Sequence, residues 1–223
     1  MKKKDLSLLK IAVFDVDRTL LVRTTGETQL IRFLLKKRMF PILNFLKYFY
    51  TVIRYLPQGI EEAILRNKTY LSNLDIQKIK SLLPEFIENH LRPKFSVQLQ
   101  KWMNELRDNG YQIIFISGTV DFIVDQLVDH LGADGGVGSM METKKNKLTG
   151  RVLGIHPYFN GKIDALHKYL KGREVDYDCS FGFADSWADV PLLSLFGNPI
   201  AVNPGILLRI KAGRRGWKMI RDQ

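Results

Sequence analysis

Four short apolar runs stand out along the chain: residues 10–15 (KIAVFD), 111–117 (YQIIFIS), 179–185 (CSFGFAD) and 199–203 (PIAVN). Each is almost continuously apolar, rich in β-branched and aromatic residues and of strand length. That is the pattern of strands buried on both faces of a parallel sheet. Between the runs the apolar positions change to helical spacing. Helices are predicted over 93–109, opened by Pro93 and closed before Gly110, over 119–131, closed by Gly132, and over 161–171 and 187–196. Strands alternating with helices predict an α/β fold with a doubly wound parallel sheet. Residues 136–153 read as a further strand and a small hairpin with Lys144 to Lys147 at its tip.

Residues 24–91 break the alternation. They hold no convincing strand and read as several helices in succession, inserted between the first and second core strands. The expected organisation is a core of 1–23 and 92–223 and a helical cap of 24–91. Within the cap, residues 39–56 (MFPILNFLKYFYTVIRYL) place their polar positions at Asn44, Lys47, Thr51 and Arg54. The spacing of three, four and three puts them on one narrow stripe of a helix, and the rest of its surface is apolar. A cap of this size has limited capacity to bury so wide an apolar face. The core, a second subunit or a membrane interface could cover it, and packing against cap and core is the first expectation. A homodimer and a monomer both fit the pattern.

The 223 residues carry 34 Lys and Arg against 23 Asp and Glu, a net charge of +11. The excess concentrates in 30–56 and after Gly205. It suits polyanionic partners or an anionic membrane surface; no nucleic acid is expected, because the cations form no recognisable reading motif. The opening MKKKDLSLLKIAVF is broken by Asp5 and Lys10 and has no small-residue cleavage site, so it reads as a basic tail rather than a signal peptide. No apolar stretch is long enough for a membrane span. The single Cys179 fits a reducing cytoplasm and reads as a small buried apolar residue, and the four histidines make no zinc pattern.

The apolar runs end in polar residues at what would be the carboxyl edge of the sheet, where open α/β folds place ligands. These are Asp15 and Asp17, Ser117, Asp185 with Asp189, and Asn203. Several acids converging there would repel one another without a cation between them, and hard oxygen donors without Cys or His suit Mg²⁺. Ser117 could instead cap the following helix.

In order along the chain, Asp15-Val16-Asp17-Arg18-Thr19-Leu20, Ser117-Gly118-Thr119, Gly161-Lys162 and Ala184-Asp185-Ser186-Trp187-Ala188-Asp189 resemble the four motifs of the haloacid dehalogenase superfamily. With a helical insert after the first motif, the chain is similar to the phosphoserine-phosphatase-like branch, subfamily IB. The resemblance implies a Rossmann-like core and a Mg²⁺-dependent phosphatase acting on a phosphorylated small molecule or a lipid phosphate. It implies Asp15 as nucleophile and Asp17 as acid and base. Asp15, Asp17 (through its carbonyl), Asp185 and Asp189 would lie at the metal. Ser117 and the Gly118 amide would hold phosphoryl oxygens, Lys162 would balance charge, and Thr19 would fix the turn that aims Asp17. Lys144, Lys145 and Lys147 compete with Lys162 but fall on the hairpin.

Three positions depart from the pattern. Arg18 stands where relatives commonly carry glycine, and either lines the entrance, attracting anionic substrate, or points to solvent. Ala184 replaces a glycine. The glutamate by which phosphoserine phosphatases read the substrate amine is replaced by Thr24, with Glu27 three residues further on. Phosphotransfer to an alcohol and a non-catalytic basic membrane-surface module are the competing functions.

Overall fold

The computed structural model describes residues 8–222, with main chain only at 61 and 62; the basic tail read at 1–7 lies outside the described residues. The elements are β1 (Ile11–Phe14), α1 (Gly26–Lys36), α2 (Leu43–Tyr55), α3 (Ile76–Phe86), α4 (Val97–Asp108), β2 (Gln112–Val120), α5 (Asp121–Leu131) and β3 (Gly135–Ser139). They continue as β4 (Met141–Lys144), β5 (Lys147–Val152), α6 (Gly161–Leu170), β6 (Phe181–Ala184), α7 (Val190–Leu193), β7 (Asn198–Val202), α8 (Ile206–Arg215) and β8 (Lys218–Ile220). Six strands form one parallel sheet in the order β3-β2-β1-β6-β7-β8, and β4 and β5 make an antiparallel hairpin. This is the expected doubly wound α/β arrangement.

Continuous apolarity in the strands follows from two-sided burial. Along β1, Ala12 and Phe14 pack into one core with the helices of 26–91, while Ile11 and Val13 pack on the opposite face with Ala165, Leu166 and Leu170 of α6. Each fully buried large side chain contributes roughly 1.5–3 kcal/mol. Phe14 stacks on Phe183 at 4.2 Å between ring centroids and meets Phe115 edge-on at 6.4 Å. The same three residues are in register across β2, β1 and β6. β1 and β6 therefore end nearly level, at Phe14 and Ala184, while β2 runs on to Val120, and this decides what can meet above them.

Several boundaries differ from expectation. Helix α4 starts at Val97, capped by Ser96, whose Oγ accepts from Leu99 N at 2.8 Å, and Pro93 sits in a separate 3₁₀ turn, Arg92–Lys94. The helix expected at 187–196 is a 3₁₀ turn, Trp187–Asp189, followed by the four-residue α7. Cys179 is exposed, not buried: β6 begins only at Phe181, and Cys179 lies in the preceding turn with its amide donating to Asp176. The basic segment after Gly205 folds as α8 and β8 and completes the sheet edge.

The largest departure is α2. Half of its polar stripe, Asn44 and Thr51, turns inward beside Phe45 and Tyr48, which pack on the core, while Lys47 and Arg54 stay exposed, so the expected packing against cap and core holds for only part of its apolar surface. Asn44 is 2% exposed, and its amide donates to the carbonyls of Tyr70 (3.1 Å) and Ser72 (2.7 Å). Thr51 bonds Thr69 Oγ1 at 2.9 Å and accepts from Asn67 Nδ2 at 2.9 Å. The strap 67–72 beneath α2 offers main-chain carbonyls and side-chain oxygens, which need donors rather than methyl groups. The apolar side chains of the opposite side are left outside, Leu46 67% and Ile53 74% exposed.

Candidate active site

Asp15 follows β1 directly, and its amide donates to the Phe183 carbonyl at 2.9 Å, which fixes it beside the end of β6. There the loop 185–189 turns back: Ser186 Oγ accepts from Ala188 N at 3.2 Å, and Asp189 N donates to Ser186 O at 3.0 Å. The turn brings Asp189 under Asp15, and carboxylate oxygens of Asp15, Asp185 and Asp189 lie within 4.8 Å of one another.

Lys162 enters from the opposite side. Its Nζ lies 2.6 Å from Asp15 Oδ1 and also contacts Asp189 Oδ1. It stands in the first turn of α6, which packs so closely on the preceding loop that a Cβ at Gly161 would fall 2.1 Å from the His156 carbonyl. The glycine before the lysine is therefore required by space. Lys144, Lys145 and Lys147 are exposed on the hairpin.

The buried Asp15 and Asp189 and the half-buried Asp185 face the Lys162 ammonium and the exposed Arg18 guanidinium, and the proton affinities report the imbalance. Burial pushes the Asp15 carboxyl up to about 8, against the pull of Lys162 and with the help of Asp189, Asp185 and Asp17. Burial also lifts Asp185 to about 6, with Arg18 opposing. Burial works against charge on Lys162, but Asp15 and Asp189 outweigh it and hold the ammonium above its ordinary range. A further cation would remove the deficit, and oxygen-only donors in a tight cluster fit a hard divalent ion.

Asp17 turns away from this cluster. Its Oδ1 accepts from Gly26 N at 2.8 Å, the first amide of α1, and its Oδ2 accepts from Thr119 Oγ1 at 2.7 Å. Burial raises its affinity for a proton, while those two hydrogen bonds oppose the rise. Arg18, the next residue, has φ 61°, a left-handed conformation that favours glycine. Its Nε pairs with Asp185 at 3.2 Å while its side chain stays 59% exposed. It thus lines the entrance and touches an acid rather than waiting free for substrate.

Thr19 does not line the cavity and is fully buried, and its hydroxyl finds no hydrogen-bond partner among the described residues. The turn it was expected to fix is held by main-chain bonds, Leu21 N to Val16 O and Arg18 N to Thr24 O, both 2.9 Å. Ser117 does not cap a helix: its Oγ accepts from Thr119 N at 3.1 Å, and β2 runs on to Val120 before α5 starts. The Gly118 amide accordingly lies ahead of the helix, not at its mouth.

Above these residues opens a cavity of about 290 Å³ lined by Asp15, Asp17, Ser117, Gly118, Lys162, Asp185 and Asp189 from the sheet edge. The helical insert contributes Glu27, Tyr48, Ile64, Asn67, Lys68 and Tyr70. Sequence reasoning missed most of this upper half. Glu27 does reach the cavity, but both its oxygens are taken by Lys68 Nζ, at 2.7 and 2.9 Å, and Tyr70 donates to it as well. Thr24 bonds Gln29 at 2.7 Å and does not line the cavity.

His156 was also missed as a cavity residue. Ser139 donates to the Gly118 carbonyl at 2.7 Å and lies 2.7 Å from His156 Nδ1. A hydroxyl has one hydrogen, so Nδ1 must be the donor to Ser139. Burial, Lys68, Arg66 and Lys162 push His156 down to about 3, so the ring is neutral and Nε2 is a bare acceptor beside Gly118.

A family model described as haloacid dehalogenase-like hydrolase matches residues 12–194. A phosphoserine phosphatase of Mycobacterium tuberculosis is 26% identical over 227 residues, covering 99% of this chain and 73% of that protein. A histidinol-phosphatase of Neisseria meningitidis is 25% identical over 217 residues, covering 94% and 97%. Among solved structures, a Bordetella pertussis protein of unknown function superposes with a TM-score of 0.80 at 24% identity, covering 96% of this chain and 99% of that one.

Proposed function

Since the chain belongs to the haloacid dehalogenase-like hydrolase family and is a phosphatase akin to phosphoserine and histidinol phosphatases, we propose that it hydrolyses a phosphate monoester through an aspartyl-phosphate on Asp15. The observation that carries this is the buried Asp15 carboxylate, 2.6 Å from Lys162 and clustered with Asp185 and Asp189 at the floor of an open cavity. Residues 24–91 act as the cap that closes over it.

Asp15, Asp185 and Asp189, with the Asp17 carbonyl, would hold Mg²⁺. Bound there, it supplies charge neutralisation for the phosphate dianion and for the ionised carboxylates. Lys162 holds Asp15 in one orientation and opposes the rise in proton affinity that burial imposes on it. Ser117 and the Gly118 amide receive phosphoryl oxygens. An Asp15 oxygen forms a bond to phosphorus as the ester P–O bond breaks, and the leaving oxygen takes its electron pair and a proton from Asp17. Asp17, fixed by Thr119 and Gly26 and raised by burial, is suited to carry that proton. Its carboxylate then takes a proton from water, which attacks phosphorus, breaks the acyl phosphate and frees Asp15.

The substrate is a phosphorylated metabolite or a lipid head-group phosphate. The free glutamate that would read an amine is absent, because Glu27 is neutralised by Lys68. A screen of phosphorylated metabolites and dispersed lipid phosphates with and without Mg²⁺, using Asp15→Asn as blank, tests the reading. Turnover is expected only with metal and only in the unsubstituted protein. Turnover that survives in Asp15→Asn would remove Asp15 as the nucleophile.

A further inference from the structure

The outward face of α2 carries Leu43, Leu46, Phe49, Tyr50 and Ile53, all more than half exposed, and the apolar strip continues through Leu56 and Ile60 to Ile64. Scattered apolar side chains are ordinary on a protein surface, but a contiguous strip of this extent marks a contact surface. It is not an accident of loose packing. The rotation of α2 is set from inside by the hydrogen bonds of Asn44 and Thr51, so the apolar side is held outward.

Charge selects among the possible occupants. Between Glu27 and Glu61 the chain has no acidic residue. On α2, Lys47 stands one turn from Leu43 and Arg54 one turn from Tyr50, and both cations are exposed along one edge of the strip. A second copy seated face to face would offer no acid from 28–60 to pair with Lys47 or Arg54. An anionic bilayer satisfies both halves, apolar side chains entering the acyl boundary while Lys47 and Arg54 reach the head-group phosphates. Among the described residues no helix is long and apolar enough to cross a membrane. With 13 residues, α2 spans about 20 Å at 1.5 Å per residue, short of the roughly 30 Å hydrocarbon core. It can lie along the surface but not through it.

We propose that the outward face of α2, extended to Ile64, docks the protein on an anionic membrane surface. Ile64 also lines the Asp15 cavity, as does Tyr48 from α2 itself, so the cavity opens beside the docked face. The proposal does not depend on the chemistry at Asp15.

Flotation of the full chain with phosphatidylcholine vesicles, with and without phosphatidylglycerol, tests it. The protein is expected to float with the anionic vesicles at low salt, weakly with the neutral ones, and less as salt rises. Leu46→Glu combined with Ile53→Glu should lower the bound fraction at least about tenfold. Lys47→Gln combined with Arg54→Gln should remove most of the preference for phosphatidylglycerol. Thermal unfolding midpoints close to the parent report that each variant is folded, independently of turnover. Failure of the parent to float with anionic vesicles at low salt overturns the proposal, as does a Glu-substituted protein that floats equally well. A dimer in light scattering that the Leu46→Glu and Ile53→Glu changes split into monomers would assign the face to a second copy instead.

Discussion

Lys68 sets its ammonium 2.7 and 2.9 Å from the two carboxylate oxygens of Glu27, across the roof of the cavity. The pair joins the start of α1 to the strap 67–72 and leaves no carboxylate there free to receive a substrate ammonium. The strap is itself positioned by Asn44 from α2. The upper half of the site is thus one hydrogen-bonded chain, from Asn44 through the strap to Glu27.

Removing only the cation should be costly. Lys68→Met leaves Glu27 as a buried acid without its counter-charge, with an expected loss on the order of 3 kcal/mol in denaturant unfolding. Adding Glu27→Gln should recover most of that loss. If the double substitution is no more stable than Lys68→Met alone, the two residues do not act as a pair.

On α2 the usual ranking of core and surface positions should be inverted. Asn44→Ala strips the donor from two buried carbonyls and is expected to cost about 2 kcal/mol or more. Leu46→Ala, on the outer face, should stay within about 0.5 kcal/mol. Urea midpoints of the two variants decide the orientation of the helix directly.

At the catalytic floor, Lys162→Met is expected to lower kcat by roughly 10²- to 10³-fold, the scale of losing one preorganised charge donor. Lys162→Arg should not restore it, because a planar guanidinium does not fit where a 4% exposed ammonium sits between Asp15 and Asp189. Steady-state rates on any ester found by the screen provide the measurement.

The metal-free protein should lose stability as pH rises. Asp15 is raised from 3.8 to about 8 and Asp185 to about 6. The folded chain therefore keeps protons that the unfolded chain releases above about pH 4. The favourable contribution is complete below that pH and is lost as pH climbs through 6 and 8. Melting temperatures in chelator should fall over this window, and millimolar Mg²⁺ should flatten the slope. His156, held neutral down to about 3, works the other way: the unfolded imidazole takes a proton below about 6.5, so this group adds stability as pH rises to that point and offsets part of the fall. A metal-free melting temperature that rises from pH 5 to pH 8 would contradict the buried-acid cluster.

The sheet and its carboxyl edge were legible because their causes are local. A strand buried on both faces must be apolar throughout, as Ile11–Phe14 is, and a charged residue such as Asp15 can only follow where the sheet ends. The spacing of Gly161 and Lys162 was legible as a motif, though its steric reason needs the loop that folds over it. Three features were illegible for physical reasons. Glu27 and Lys68 meet across 41 positions, and nothing near either residue signals the other. The orientation of α2 depends on the polarity of the surface beneath it, which periodicity does not contain. Thr19 sits in a motif where a hydroxyl suggests a hydrogen bond, yet main-chain bonds hold the turn. The start of α4 is marked in the sequence by the capping Ser96, and Pro93 belongs to the separate turn before it.

The hairpin of β4 and β5 grows from the core sheet, yet it is laced to the insert by main-chain hydrogen bonds. Lys68 donates to Gly150, Asn73 to Leu148, Leu148 to Leu74 and Ile76 to Asn146, at 2.8–2.9 Å. Any swing of the helical roof wide enough to release product must therefore break this lacing or drag the hairpin along. If it drags, the pull arrives where the hairpin rejoins the core, next to Ser139 at one end and His156 at the other, the two side chains that clasp each other beside the Gly118 carbonyl. Roof and floor are geared together through that clasp.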